Sequence, residues 1–208
     1  MRRSTWQKGA IARLSESDPT LGTIIAGHPD FDPRAWLAEL PSLDTFGTLL
    51  FQVIGQQLSV SAGRRILEHI QDAFGGHVPE PQEILTVSPE RLHQAGLSRR
   101  KVETIRAVAG FFRDGTLSDA VFSKLSDAEI EALLTSIPGI GPWTVHGFLI
   151  IALDRPDVVL PGDLALRKVI RRVYAFDDLP TPKEVRALAE KWRPYRSLAT
   201  ALPLPLGL

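Results

Sequence analysis

The most informative run in the chain is Leu133-Leu134-Thr135-Ser136-Ile137-Pro138-Gly139-Ile140-Gly141-Pro142-Trp143-Thr144-Val145. Apolar residues with helical spacing flank Pro-Gly-Ile-Gly, a link too short for anything except a tight helix-hairpin-helix. The glycines allow close approach to another molecule because they carry no Cβ, and Pro142 suits the first position of the second helix. Amides at that helix start, with the helix dipole behind them, favour a phosphate. The run therefore predicts a site that binds a nucleic-acid backbone, with a plain helix-loop-helix turn as the alternative.

A candidate catalytic carboxylate follows about twenty residues later, in Leu160-Pro161-Gly162-Asp163-Leu164. Asp163 precedes an apolar and basic helix, so we expect it at or beside the N-cap, where a cap alone contributes about 1 kcal/mol. Hydrogen bonds from helix-start amides also favour the charged form of a carboxylate. Capping and catalysis are therefore compatible roles for this residue.

Together these residues resemble the helix-hairpin-helix DNA glycosylases, of the bacterial 3-methyladenine DNA glycosylase II type. The resemblance runs from about Phe46 to Ser197 and includes Val53-Ile54-Gly55-Gln56-Gln57-Leu58-Ser59. It implies that Asp163 is the catalytic aspartate and that Trp143 and Phe46 contact the base. It also implies a set of DNA contacts: Gln57, Leu58, Gly139, Gly141 and Thr144.

The resemblance places the wedge that fills the vacated base stack on Gln57, with Leu58 beside it. The alternative is that Leu58 belongs to the core and that the glutamines cap the turn. Trp143 stands where strand-cutting members of the family carry a Schiff-base lysine, which implies a monofunctional enzyme. Its indole is suited to stack on an electron-poor base, with core packing as the alternative. His146 is interpreted as a packing or hydrogen-bonding residue.

Composition narrows the possible classes of protein. The 208 residues suffice for one large domain or two interlocked lobes, and a hydrophobic content of 44% suffices for a core. The apolar runs are shorter than a bilayer span, and the start lacks the apolar region of a secretory signal. The absence of cysteine excludes disulfides, a thiol nucleophile and a thiolate-held iron–sulfur cluster. We therefore expect a cytoplasmic, nucleoid-associated protein with no membrane partner.

The net charge of zero argues mildly against a nucleic-acid partner, but the basic residues are clustered. One segment contains Arg91, Arg99, Arg100, Lys101, Arg106 and Arg113, and a second contains Arg167, Lys168, Arg171 and Arg172. Such stripes on a neutral protein support local phosphate binding. The alternative is that each is an ordinary solvated helix face.

Helical periodicity dominates and strand-like alternation is nearly absent, so we expect an all-α fold. One buried stripe is predicted from Phe46, Leu49, Leu50, Val53, Ile54 and Leu58. Helix starts are predicted at Ser98, at Ser126-Asp127-Ala128-Glu129 and at Thr181-Pro182-Lys183-Glu184, the last two as capping boxes.

We expect a single two-lobed glycosylase domain over residues 1–208. Residues 47–155 would form the central helical lobe, with the helix-hairpin-helix at about 127–151, and residues 1–46 with 156–208 would form the second lobe. The resemblance implies a cleft between the lobes with Asp163 at its rim. The chain before Phe46 is too short for the N-terminal β domain that larger members carry.

The chain departs from the family pattern at two positions of the base pocket. A tyrosine one turn after the hairpin tryptophan is replaced by Gly147, and an aromatic near the C-terminus is replaced by Leu204 in a proline-rich tail. Arg196 matches a family run, and we expect it to pair with a carboxylate or with carbonyls.

The sequence thus predicts a base excision repair glycosylase that removes alkylated purines, namely 3-methyladenine and, as further candidates, 7-methylguanine or 1-methyladenine. It would act on double-stranded DNA as a monomer. No cofactor or metal is required, although relatives imply a monovalent cation at the hairpin carbonyls. The alternatives are a non-catalytic helix-hairpin-helix DNA-binding module and a related glycosylase for deaminated or oxidised bases.

Overall fold

A computed structural model describes residues 5–30, 32 and 35–201, except the side chains of residues 5–8, 36 and 39. All regular structure within these ranges is helical, as predicted. The α-helices are α1 (Thr5–Ser17), α2 (Pro19–Gly27), α3 (Thr45–Gly55), α4 (Val60–Ala73), α5 (Pro81–Thr86), α6 (Pro89–Gln94), α7 (Arg99–Arg113), α8 (Asp119–Phe122), α9 (Asp127–Thr135), α10 (Pro142–Ile151), α11 (Leu164–Val173), α12 (Pro182–Ala189) and α13 (Arg196–Ala201). Short 3₁₀-helices cover Ala35–Glu39 and Glu190–Trp192.

The chain forms two compact units. The hairpin unit is continuous and covers Leu40–Asp154, whereas the terminal unit combines Met1–Glu39 with Arg155–Leu208. The hairpin unit begins at Leu40, a few residues before the expected boundary at 47, and it includes Asp44, which caps α3 by accepting a hydrogen bond from the Gly47 amide. The predicted role of Leu204 and of the proline-rich tail lies outside the described residues.

Helix α3 is the central helix of the hairpin unit. Every residue from Phe46 to Ile54 is buried, because α4, α7 and α10 all pack against it. The prediction that a single stripe of this segment is buried is therefore wrong, because the helix is buried on every face from Phe46 to Ile54. A row of phenylalanine rings continues the core, with centroid distances of 5.2 Å from Phe46 to Phe112, 6.2 Å from Phe112 to Phe122 and 5.2 Å from Phe122 to Phe148.

Side-chain caps begin most of the described helices, as the sequence predicts. Ser98 accepts a hydrogen bond from the Lys101 amide at the start of α7. Ser126 with Glu129 and Thr181 with Glu184 form complete capping boxes. These starts are local features, since each cap reaches only three residues along the chain.

The core of the terminal unit contains a buried carboxylate that joins the two ends of the chain. Asp18 caps α2, with Oδ1 accepting from the amides of Thr20 and Leu21. Its Oδ2 accepts from three side chains of the C-terminal segment: Tyr174 Oη (2.5 Å), Trp192 Nε1 (2.7 Å) and Lys191 Nζ (3.0 Å). Burial by itself would raise the pKa of this carboxyl, but the hydrogen bonds from Tyr174, Trp192 and Lys191 hold that pKa below its ordinary value.

None of the helices in the described ranges combines the length and the apolar character that crossing a membrane would require.

We predict that Asp18→Asn lowers the free energy of unfolding by about 3 kcal/mol, because removing one partner of a buried ionic cluster leaves the others uncompensated. The folded-state pKa of Asp18 is depressed, so its charge stabilises the protein fully at neutral pH. That contribution is lost as the pH falls below about 4. Urea unfolding at pH 7 and at pH 3.5 measures both effects.

The control is Asp178→Asn, which changes an exposed carboxylate in the same unit. We expect it to alter the free energy of unfolding by less than about 0.5 kcal/mol. Equal losses in the two variants at neutral pH would contradict the role given to Asp18.

Candidate functional site: the hairpin, its neighbouring turn and Asp163

The predicted helix-hairpin-helix is present, with α9 and α10 joined by residues 136–141. Ile137 and Ile140 are buried and anchor the connecting loop in the core of the hairpin unit. Gly139 adopts a φ of +94°. A Cβ on this residue would lie 2.0 Å from Thr104 Oγ1, so the position requires glycine both for its conformation and for space.

Two side chains from other helices hold the hairpin backbone. Thr104 Oγ1 lies 3.0 Å from both Arg100 O and Pro138 O and shares its one proton between them, and Gln56 Nε2 donates to both Gly139 O and Thr144 Oγ1 at 3.0 Å. The structure therefore brings Gly139 and Thr144, two of the predicted DNA contacts, together with Gln56. The hydroxyl of Thr144 is buried and accepts a hydrogen bond from Gln56, so it helps to hold the hairpin, and the contact of Thr144 with DNA stays a prediction.

Helix α10 begins differently from its neighbours. Its N-cap is Gly141, and no side chain among the described residues caps it. Pro142 occupies the first helical position, and Gly141 has open space around its missing Cβ. This arrangement leaves the helix start accessible to an anion, with the positive end of the helix dipole behind it.

Trp143, on the first turn of α10, is the candidate stacking residue. Its side chain is 39% exposed, so core packing does not describe it. One turn later, Gly147 stands where the family resemblance places a tyrosine, and a Cβ at Gly147 would lie 2.6 Å from Gln52 Oε1. The side chain of Gln52 thus occupies the space that a larger residue at this position would need.

Sequence reasoning did not single out Gln52, although a signal was present. It is the one amide side chain in α3 between Phe46 and Ile54, a stretch that is apolar apart from Gln52 and Thr48. Gln52 is only 7% exposed, so its amide is a buried polar group close to the surface that carries Trp143.

Phe46, predicted to contact the base, is 4% exposed and packs edge-on against Phe112, so the structure places it in the core. Its contact with a base stays a prediction.

The turn after α3 carries the candidate wedge. Gln57 adopts a φ of +62°, which costs a non-glycine residue on the order of 1 kcal/mol. Leu58 is 41% exposed, and Ser59 caps α4. The alternative that Leu58 belongs to the core is therefore wrong, as is its place in the predicted stripe, because α3 ends at Gly55 and the turn breaks the helical period.

Asp163 lies in the terminal unit and is the N-cap of α11, as predicted. Its Oδ1 accepts a hydrogen bond from the Leu166 amide at 2.8 Å, and its own amide donates to Leu160 O at 3.1 Å. The residue is half-buried at the start of a ten-residue helix. These contacts fix the position of the carboxylate, and the dipole of α11 favours its negative charge.

Several basic residues of the two predicted stripes donate hydrogen bonds to backbone carbonyls of the protein itself. Lys101 donates to Ile54 O and Gln56 O, Arg106 donates to three carbonyls between residues 84 and 87, and Arg167 donates to Pro180 O. Arg91 and Arg171 likewise donate to backbone carbonyls. The interpretation of both segments as phosphate-binding stripes is therefore too broad, because a sequence does not reveal which cations satisfy carbonyls at helix ends.

Two further expectations agree with the structure. Arg196 donates from Nε to Asp157 Oδ1 at 2.7 Å and from Nη2 to the same carboxylate and to Asp157 O, so it pairs with a carboxylate and a carbonyl. His146 is buried, and its Nε2 lies 3.2 Å from Glu131 Oε2, which joins α9 to α10. Both residues stabilise the scaffold.

The hairpin carbonyls are the groups that the predicted monovalent cation would contact. The oxygens of Pro138 and Gly139 each accept one protein hydrogen bond, from Thr104 and Gln56, so each retains one lone pair for an ion. No group of three or more His, Asp or Glu side chains suited to a metal occurs in the described ranges. A cation held by these backbone oxygens would add positive charge to the hairpin.

Comparison with known proteins gives a consistent result. Residues 51–194 match the family described as HhH-GPD superfamily base excision DNA repair protein. A putative DNA-3-methyladenine glycosylase of Bacillus subtilis is 29% identical over 82% of this chain and 61% of the relative, so this chain spans less than two thirds of that relative's length. DNA-3-methyladenine glycosylase 1 of Schizosaccharomyces pombe is 31% identical over 75% of this chain and 69% of the relative.

A solved structure is similar over almost the whole chain. It is the 3-methyladenine DNA glycosylase of Schizosaccharomyces pombe in complex with abasic DNA, with a TM-score of 0.84 and 27% identity. The similarity covers 96% of this chain and 97% of that one.

We predict that Gly139→Ala lowers the free energy of unfolding by about 2–4 kcal/mol, because it adds a clash to a strained backbone conformation. Gly141→Ala is the matched variant, since its φ of −111° is ordinary and nothing lies within 4 Å of the new Cβ. We expect it to lower the free energy of unfolding by no more than about 1 kcal/mol, since alanine is a poorer N-cap than glycine, and to weaken binding to duplex DNA. Thermal unfolding and fluorescence anisotropy measure the two properties, and equal destabilisation by both substitutions would contradict this account.

Proposed function

Because the chain belongs to the HhH-GPD superfamily of base excision DNA repair proteins, we propose that it is a monofunctional DNA glycosylase for alkylated purines. Its substrate is 3-methyladenine in duplex DNA, with 7-methylguanine and 1-methyladenine as further candidates. The observation that carries the proposal is the fixed carboxylate of Asp163 at the start of α11, in a chain that also has an accessible hairpin. The names of the relatives support the choice of lesion.

The hairpin binds the DNA backbone. A phosphate accepts hydrogen bonds from the amides of Gly139 and Gly141 and lies at the positive end of α10. These contacts carry no information about base sequence, which suits an enzyme that must inspect every position. A monovalent cation at the hairpin carbonyls stays a prediction, and no other cofactor is required.

The base must leave the stack before its glycosidic bond can be reached. In our proposal Gln57 or Leu58, both exposed at the turn after α3, fills the vacated space. Trp143 stacks on the extruded base, and a cation–π contact with a positively charged alkylpurine adds about 0.5–2 kcal/mol. The buried amide of Gln52 beside Gly147 offers the base a hydrogen-bonding partner.

The chemistry follows from the charge of Asp163. Cleavage of an N-glycosidic bond develops positive charge on the deoxyribose, as in other glycoside hydrolyses. A fixed anion beside the sugar stabilises that charge, and such preorganised electrostatics are usually the largest catalytic contribution. The same carboxylate orients or deprotonates the attacking water. The leaving base is already cationic, so no separate general acid is needed.

The product is an abasic site in an uncut strand. The position at which a Schiff-base lysine would cut the strand is Trp143, whose indole lacks a nucleophilic amine. We further propose that the enzyme acts as a monomer in the cytoplasm, at the nucleoid. Two other functions remain as outcomes of the tests below: a hairpin module that binds DNA without catalysis, and a glycosylase for deaminated or oxidised bases.

We predict that Asp163→Asn lowers the rate of 3-methyladenine release from methylated duplex DNA by at least about a hundredfold. Asparagine caps a helix as well as aspartate, so stability should change by less than about 0.5 kcal/mol. Release by the wild-type protein should persist in the presence of a chelator. The assay is chromatography of released bases, with thermal unfolding alongside it.

Asp178→Asn is the control for loss of one carboxylate in the same unit. Base release by Asp163→Asn at the wild-type rate would reject the role of Asp163. A wild-type protein that binds methylated and unmethylated duplexes equally and releases no base would be a binding module. Release from a panel of duplexes with deaminated or oxidised bases, but not from methylated DNA, would assign a different lesion.

Trp143→Ala should lower kcat/KM for methylated duplex by about 2–30-fold, which corresponds to loss of one stacking contact. Trp143→Phe should retain part of the activity because it keeps an aromatic face. Affinity for undamaged duplex should stay the same in both, since no extruded base is involved.

Denaturing gels should show no strand cleavage before alkali is added, and cleavage by the wild type at that stage would contradict the monofunctional assignment.

A further inference from the structure

The turn formed by residues 56–59 is held in an unfavourable conformation by contacts from outside it. Gln57 has a positive φ, and Leu58 N donates to Gly55 O at 3.0 Å. A non-glycine residue keeps this conformation only where its surroundings fix it. Both candidate wedge side chains in this turn are exposed, so their own packing does not provide the restraint.

Lys101 provides one restraint. Its Nζ donates to Ile54 O at 2.8 Å and to Gln56 O at 3.0 Å. These carbonyls lie at the C-terminal end of α3, where backbone acceptors lack helical partners and the dipole is negative. Because these contacts withdraw the Lys101 ammonium partly from water, burial lowers its pKa.

Gln56 provides the second restraint and extends it to the hairpin. Its backbone carbonyl accepts from Lys101, while its side-chain amide donates to Gly139 O and Thr144 Oγ1. Gln56 thus contacts the Lys101 ammonium, the hairpin loop at Gly139 and the first turn of α10 at Thr144. An amide is required here, because a carboxylate of the same size cannot donate to a carbonyl.

Helix α7 completes the connection. Lys101 and Thr104 lie three residues apart on α7 and therefore on one face of it. Lys101 holds the turn, and the Thr104 hydroxyl holds Pro138 O in the hairpin. The turn and the hairpin are consequently attached to a common helix as well as to each other through Gln56.

We propose that Gln56 and Lys101 are positioning residues that fix the turn carrying Gln57 and Leu58 relative to the phosphate-binding hairpin. The inference rests on the proposed function in DNA glycosylase action. When a phosphate is bound at the hairpin, a rigid connection places the wedge at a set distance from it, where the base stack opens. Loosening the connection should impair insertion of the wedge while the hairpin still binds phosphate.

The test uses a duplex with a tetrahydrofuran abasic analogue opposite 2-aminopurine, whose fluorescence reports on stacking at the vacated position. No base is available for excision, so the signal is independent of catalysis. The variants are Gln56→Ala, the size-matched Gln56→Glu, and Lys101→Met. The controls are Gln94→Ala and Lys124→Met, which change exposed residues of the same types in the same unit.

We expect the fluorescence change at saturating protein to fall to about half or less in all three variants, since wedge insertion needs accurate positioning. The dissociation constant, measured by anisotropy, should rise by less than about threefold, because phosphate contacts supply most of the affinity. The single-turnover rate of base release should fall by about tenfold or more. The two controls should match the wild type in all three measurements.

A full fluorescence change at saturation in Gln56→Glu and Lys101→Met would overturn the inference, as would losses that the change in affinity explains completely. Lys101→Arg keeps a cationic donor and should recover part of the signal lost in Lys101→Met, so a merely structural role is distinguished from positioning. A wild-type protein that shows the fluorescence change but releases no methylated base would reject the proposed function and leave the positioning role intact.

Discussion

The carbonyls at the C-terminal end of α3 need hydrogen-bond donors, and this requirement organises the hairpin unit. Helix α3 is buried from Phe46 to Ile54, so the carbonyls of its last turn are less accessible to water than they would be on an exposed helix. Lys101 supplies the donor, and its burial is acceptable because the ammonium meets two carbonyls at the negative end of the helix. The contact also determines where the chain leaves α3. An exposed turn with a strained residue therefore sits directly beside the hairpin.

The terminal unit also places charged side chains at helix ends, but these are carboxylates at the positive N-terminal ends. Asp163 is an anion at the positive end of α11, and Asp18 is an anion at the start of α2. Asp18 is enclosed and satisfied by five donors, so its charge serves stability. Asp163 is only half-buried, so its carboxylate lies nearer to solvent than that of Asp18, and under the proposed function it stabilises charge on the sugar. The two carboxylates at helix starts thus differ in exposure.

Local features of the fold were predictable from the sequence, whereas long-range ones were not. The capping boxes at Ser126 and Thr181 and the N-cap at Asp163 depend on residues within three positions, so spacing reveals them. Gln56 contacts Thr144 across 88 positions of sequence, and Lys101 contacts Gln56 across 45. Nothing in the periodicity of α3 or α7 indicates those partners. The prediction for Leu58 is wrong for a related reason, because the helical repeat of α3 ends at a turn that Lys101 contacts from a distant part of the sequence.

The discontinuity of the terminal unit determines the order in which the protein takes shape during translation. The hairpin unit is one continuous segment, so it has all its residues once position 154 has left the ribosome. Helices α1 and α2 emerge first, yet the Asp18 carboxylate must wait for Trp192, which lies 174 positions further along the nascent polypeptide. Until then the N-terminal helices carry a carboxylate without its most distant partners. Premature termination after residue 154 would thus leave a hairpin unit of full length. The helices α1 and α2 that precede it would lack the C-terminal residues that complete the core of the terminal unit.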